Sequence, residues 1–187
     1  MKKIISWILG IGFVIIFSVM LVAFMRGARK EDSEVMAQQI QKIHAIFSGI
    51  NEECGIISFD RDHAAIDFLN TIKFSGSQVG PMNLAHPERW QGPYVERTME
   101  IQDKPYQIVK TKKGYVILPG DGVRLYNKKV IGMTLKINFD TDITELVHDK
   151  NFLAAVSDKP LAMIIPVLND EVKEHVFALG EALENNY

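Results

Sequence analysis

The chain has 187 residues, with 21 Lys and Arg against 23 Asp and Glu. Five of the basic residues and none of the acidic ones fall in the first 30, which leaves 16 against 23, a net of about −7, and argues against a nucleic-acid partner. Cys54 is the single cysteine, which excludes an intrachain disulfide and a cysteine-built zinc cluster.

Ile4 to Met25 carries no charge and is interrupted only by Ser6, Gly10, Gly12 and Ser18, with Lys2 and Lys3 before it and Arg26, Arg29 and Lys30 after. At about 1.5 Å per helical residue such a run reaches across a hydrocarbon core of about 30 Å. The expectation is a transmembrane anchor within residues 1–30 and the lipid bilayer as a partner. A cleaved signal peptide is the rival reading. It is disfavoured because the run exceeds the roughly 7 to 15 apolar residues of a signal core, and Val22, Ala23, Phe24 and Met25 supply no small-x-small site. The basic residues on the two sides are too evenly balanced to orient the span.

Met36, Ile40, Ile43, Phe47 and Ile50 follow at spacings of four and three, with Gln38, Gln41 and Lys42 between them, so one helical stripe is apolar. Only Gly27 interrupts the run, and a single stalk from Ile4 to about Ile50 is expected. Its upper half would pack on a domain; a coiled-coil dimer is the alternative. Asn51 to Phe59 reads as a loop and Asp62 to Lys73 as a short helix capped by Asp60 or Asp62, with Ile66, Leu69 and Ile72 on its apolar side. His63 and Asp67, four apart on that helix, form a solvated pair rather than a metal site, since no further ligands lie nearby. Gly76, Gly80, Pro81 and Pro87 mark Phe74 to Arg89 as an irregular loop.

From Tyr94 the period changes to two. Tyr106–Lys110, Tyr115–Leu118, Val123–Tyr126 and Val130–Phe139 are rich in Val, Ile and Tyr, and are divided by Lys113-Gly114, Gly120-Asp121-Gly122 and Asn127-Lys128. An antiparallel meander is expected, covered on one face by the upper stalk.

This order of elements resembles the type IV pilins and pseudopilins. The local match lies in Trp90-Gln91-Gly92-Pro93-Tyr94-Val95, which is similar to a segment of the major pseudopilins of type II secretion systems, and in Asp103-Lys104-Pro105-Tyr106, which keeps the Pro-Tyr of a later family stretch. The resemblance spans roughly Ile4 to Phe139. It implies an α+β, pilin-like fold in which Trp90, Gly92, Pro93, Tyr94, Pro105 and Tyr106 are structural motif residues at the helix–sheet junction. It also implies a C-terminal domain on the periplasmic side of a bacterial inner membrane, and other secretion-system or pilus subunits as partners. Gly12-Phe13 stands in for the peptidase site of the family, but the fifth residue from there is Phe17 where assembling pilins carry Glu. No calcium ligands align.

Beyond that span, Asp142 and Glu145 have capping-box spacing for a helix running toward Val156. Leu161–Leu168 with Pro166 suggests an edge strand, and Asn169–Asn185 a helix. The expected organisation is an anchor with flanks at 1–30, a pilin-like domain at 31–140 and a helical extension at 141–187 packed on that domain. No HExxH, GxSxG or phosphate-cradling glycine motif occurs, and the five histidines are scattered. The sequence therefore points to a membrane-anchored, noncatalytic pseudopilin-like subunit with no cofactor. A stand-alone envelope binding or sensing domain that does not polymerise is the alternative.

Overall fold

The computed structural model describes residues 2–168, with the side chains of 2–12, 24–26, 28 and 29 left aside. Helix α1 runs unbroken over Lys2–Cys54, 53 residues and about 80 Å at 1.5 Å per residue. Nothing in this stretch is proline, and its end has a local cause. Gly55, at φ +65°, donates its N–H to the Asn51 carbonyl at 3.0 Å, and the Asn51 side chain accepts the next amide, that of Ile56, at 2.9 Å. A Cβ on Gly55 would also meet Ala85 at 3.2 Å and Leu168 at 3.0 Å, so the glycine suits both the backbone and the packing.

The expected transmembrane helix is not found. Among the described residues, no helix is long and apolar enough to cross a membrane. The described uncharged stretch of side chains in α1, Phe13 to Ala23, spans about 16 Å, roughly half a hydrocarbon core. The earlier part of the expected span, Ile4 to Gly12, lies outside the described side chains.

Among the described residues, three antiparallel sheets replace the single meander. β1 (Ile56–Phe59), β3 (Gln78–Val79) and β4 (Met82–Leu84) form one in the order β1-β4-β3. The largest joins β2 (His63–Ala65), β7 (Gln107–Thr111), β8 (Gly114–Leu118) and β9 (Met163–Ile164) in the order β2-β7-β8-β9. β5 (Glu100–Ile101) and β6 (Lys104–Pro105) make a small ribbon. The helical stripe Met36, Ile40, Ile43, Phe47, Ile50 and Cys54 is fully buried against these sheets. Phe47 sits at the centre of the contact, with the rings of Phe59 and Phe68 at 6.1 and 6.2 Å.

Several local expectations need correction. The loop expected from Asn51 to Phe59 is instead the end of α1 followed by β1. The helix expected from Asp62 to Lys73 is β2 followed by turns. Ile66 and Leu69 are buried there, but Ile72, the third member of the proposed stripe, is 65 % exposed, and Ala64 and Ile66 reach the core with period two. The strands expected at Val123–Tyr126 and Val130–Phe139 shrink to isolated bridges. Side chains there divert the backbone: Asn127 Oδ1 accepts the Lys129 amide, and Asn138 Oδ1 accepts the Asp140 amide.

The expected C-terminal helical extension is also overturned where it is described. α2 is limited to Ile143–Leu146, capped by Asp142, whose carboxylate accepts the Thr144 amide at 3.0 Å and hydroxyl at 2.8 Å. Those bonds hold the Asp142 carboxyl below its ordinary pKa. The helix expected at Asn169–Asn185 lies outside the described residues. The rest of this region repeats one small hairpin 30 residues apart. Ile131 N–H binds the Val123 carbonyl and Leu125 N–H that of Lys129, just as Leu161 binds Leu153 and Ala155 binds Lys159. Lys128 and Asp158 occupy the same left-handed position in the two hairpins.

Candidate functional site

The six residues singled out by the motif come to lie in two places. Around the first, the chain leaves a 3-10 turn at Pro87–Arg89 and Trp90 folds back over residues 71–74. Its indole N–H donates to the Thr71 carbonyl at 3.0 Å, and its ring stands edge-on between Phe74, 5.5 Å away, and Tyr94, 4.8 Å away. Gly92 lies beneath the indole. A Cβ there would be 2.4 Å from both Trp90 Nε1 and Thr71 O, so glycine is the residue that permits the Trp90–Thr71 bond. The Gly92–Pro93 peptide is cis, and Tyr94 N–H donates to the Leu69 carbonyl at 2.9 Å.

Pro105 and Tyr106 belong to the second place. Pro105 pairs with Glu100 in the small ribbon, and its carbonyl packs against Gly120. Tyr106 is wholly buried, and its hydroxyl donates to Gln39 Oε1 of α1 at 2.6 Å. Tyr106 therefore joins helix to sheet, whereas Trp90 and Tyr94 pin the loop ahead of the ribbon. Gln39 and Tyr94 also line one groove of about 590 Å³.

Burial pushes the Tyr106 phenol well above its ordinary pKa. Its folded-state value is the raised one, so its contribution to stability is complete below about pH 10 and is lost as the pH climbs beyond that. Tyr106→Phe is expected to cost about 0.5–1.5 kcal/mol at neutral pH through the lost bond to Gln39. It is also expected to flatten the loss of stability above about pH 10. Urea titrations at pH 7 and at alkaline pH measure both effects, and an alkaline slope equal to that of the parent chain would refute the second.

A polar row lies on the sheet face turned away from α1. His63 bonds to Gln107 Oε1, and Gln107 Nε2 donates to Asp121 Oδ1 at 3.1 Å, while His63 Nε2 and Asp121 Oδ2 are 3.9 Å apart. Sequence spacing had paired His63 with Asp67. The strand conformation of β2 removes that helical neighbour and supplies Gln107 and Asp121 from across the sheet. Gln107 sits on a period-two strand and carried no sequence signal of its role.

Cys54 is buried, and its thiol pKa is raised, first by burial and then by the Glu53 and Glu88 carboxylates, which disfavours a nucleophilic thiolate. Among the described residues, no three His, Cys, Asp or Glu side chains gather to hold a metal ion. The motif segment is held by packing. Rings, a backbone carbonyl and amide groups meet at the motif segment, with no nucleophile beside a base.

The other exposed feature is the lower part of α1. From Phe13 to Val22 every large apolar side chain is between 49 and 71 % exposed, around the whole helix and not on one face. Among the described side chains, the first buried one after it is Ser33, where the helix meets the domain. No protein-family model, no curated protein and no solved structure matches this chain.

Proposed function

We propose that this chain is a noncatalytic, membrane-associated subunit of a bacterial secretion or pilus-type envelope assembly, with its sheet domain on the periplasmic side of the inner membrane. The observation that carries this reading is the girdle of exposed apolar side chains from Phe13 to Val22, on a helix whose later turns form the core of a small domain. Burying each such side chain gains about 1.5–3 kcal/mol, so contact with lipid is strongly favoured over water. The periplasmic side and the assembly rest on the resemblance of Trp90–Val95 to the pseudopilin segment.

One observation favours the alternative, a stand-alone envelope binding domain that does not polymerise. Phe17 is 61 % exposed at the place where assembling pilins carry Glu, so no carboxylate is available there to neutralise a neighbour's amino terminus.

Fractionation tests the first reading. The full chain is expected to sediment with membranes, and the double variant Ile16→Asp with Met20→Asp to move largely to the soluble fraction; recovery of the parent chain in the supernatant would overturn membrane association. Capture from a crosslinked envelope separates the two readings. Secretion or pilus subunits in the eluate support an assembly role, and their absence leaves the stand-alone domain.

A further inference from the structure

We propose that the open edge of β2 receives an extended peptide strand from another protein, one that alternates apolar and basic side chains. The edge involves neither the apolar part of α1 nor the Trp90–Tyr94 segment, so it is independent of the function proposed above.

The register decides which backbone groups are available. Lys110 N–H donates to the Asp62 carbonyl at 2.8 Å and Ile66 N–H to the Tyr106 carbonyl at 2.7 Å, and Ala64 stands opposite Ile108. In an antiparallel pair the hydrogen-bonded positions alternate, so Asp62, Ala64 and Ile66 face β7 while the N–H and C=O groups of His63 and Ala65 point outward. Among the described residues these outward groups have no backbone partner, and His63 and Ala65 are exposed. β2 ends the sheet order β2-β7-β8-β9. A strand laid beside it would gain up to four ladder bonds.

Depressions flank that edge on both faces. Behind it, on the His63 and Ala65 side, lies a cleft of about 450 Å³ floored by Val109, Leu118 and Phe139, and next to it one of about 260 Å³ between Ala65 and Gly120. Phe139 is 52 % exposed in this position. In front, a cleft of about 330 Å³ is bordered by Asp60, Arg61, Asp67 and Ala64. Successive side chains of an added strand point to opposite faces, so alternate residues would enter the rear and front clefts.

Charge sets the kind of peptide. Lys110 is already paired with Asp62 at 3.4 Å, and Asp121 lies beside His63. In front, Asp60 is held by the neutral amides of Gln78 and Asn83, which orient the carboxylate without cancelling its charge. Among the described residues, no ion pair engages Asp60 or Asp67. Asp60 and Asp67 outnumber Arg61 in the front cleft, whereas Lys136 and Lys104 border the rear ones and repel basic side chains. Apolar side chains therefore suit the rear face and basic ones the front.

The test uses the full chain dispersed in mild detergent and a synthetic peptide of alternating Val and Lys. Two control peptides accompany it, one with Glu for each Lys and one with Pro at every second residue, which cannot donate the ladder bonds. Saturation with the Val-Lys peptide is expected to slow amide exchange at His63 and Ala65 by about tenfold or more. The proline peptide should not bind, and Asp67→Lys should weaken the Val-Lys peptide about fivefold. Equal binding of all three peptides, no binding at all, or binding without protection at His63 and Ala65 would each overturn the proposal. Protection at those amides without peptide, rising with protein concentration as a dimer forms, would also overturn it by assigning the edge to a second copy of this chain.

Discussion

Phe47→Ala is expected to remove about 3–5 kcal/mol of stability, a large part of what holds a domain of this size together. The ring is fully buried on α1 and touches Phe59 of β1 and Phe68 of the segment after β2, so it ties the helix to both sides of the fold. Truncation leaves a cavity among rings that are themselves held by their neighbours, and such a cavity collapses poorly. The unfolding midpoint should fall by roughly 10–20 °C. Thermal unfolding followed by circular dichroism measures it, provided that the sheet signal is separated from that of the exposed part of α1. A loss below about 1 kcal/mol would show that the helix–sheet contact is not centred on this ring.

Gly92→Ala is expected to cost about 2–4 kcal/mol, unusual for an addition of one methyl group. The new carbon would lie 2.4 Å from both partners of the Trp90–Thr71 bond, so either that bond opens or the loop shifts. An opened bond strands a half-buried indole N–H and loosens Trp90 from Phe74 and Tyr94. In a Trp7→Phe background, Trp90 is the only tryptophan left, and its emission should move to longer wavelength together with the drop in unfolding midpoint. Unchanged emission and midpoint would mean that the loop absorbs the methyl group without losing the bond.

Both substitutions act on residues that the sequence pointed to for different reasons. Phe47 was legible from its place in the stripe Met36 to Ile50, because side chains three and four apart on a helix share a face. Gly92 was legible only as part of a motif. The contact that makes it intolerant of a side chain is with Thr71, twenty-one residues earlier in the chain. Tyr106 was expected at the helix–sheet junction; its hydroxyl bonds to Gln39 of α1, a partner that could not be read from spacing. Trp90 and Tyr94, expected at the same junction, pack against the edge of the core and on the loop at Thr71 and Phe74. The His63–Gln107–Asp121 row went unread because its members come from three separate parts of the chain.

What the sequence determined by itself was local in origin. The absence of proline before Gly55 and the left-handed glycine after Cys54 set the course and end of α1. The Lys112-Lys113 turn joins β7 to β8 with Thr111 opposite Gly114, and Asp142 caps α2. In each case the decisive bond closes within a few residues, although the turn falls one residue ahead of the Lys113-Gly114 signal and α2 stops at Leu146, short of the expected Val156. The tertiary structure decided the rest. It turned the supposed helix after Asp62 into an edge strand, since three residues of β2 gain more from pairing with β7 than from a helical turn lacking a continuous apolar face. It also divided the motif residues between two sites and left the β2 edge open, because strand order and register depend on contacts tens of residues apart.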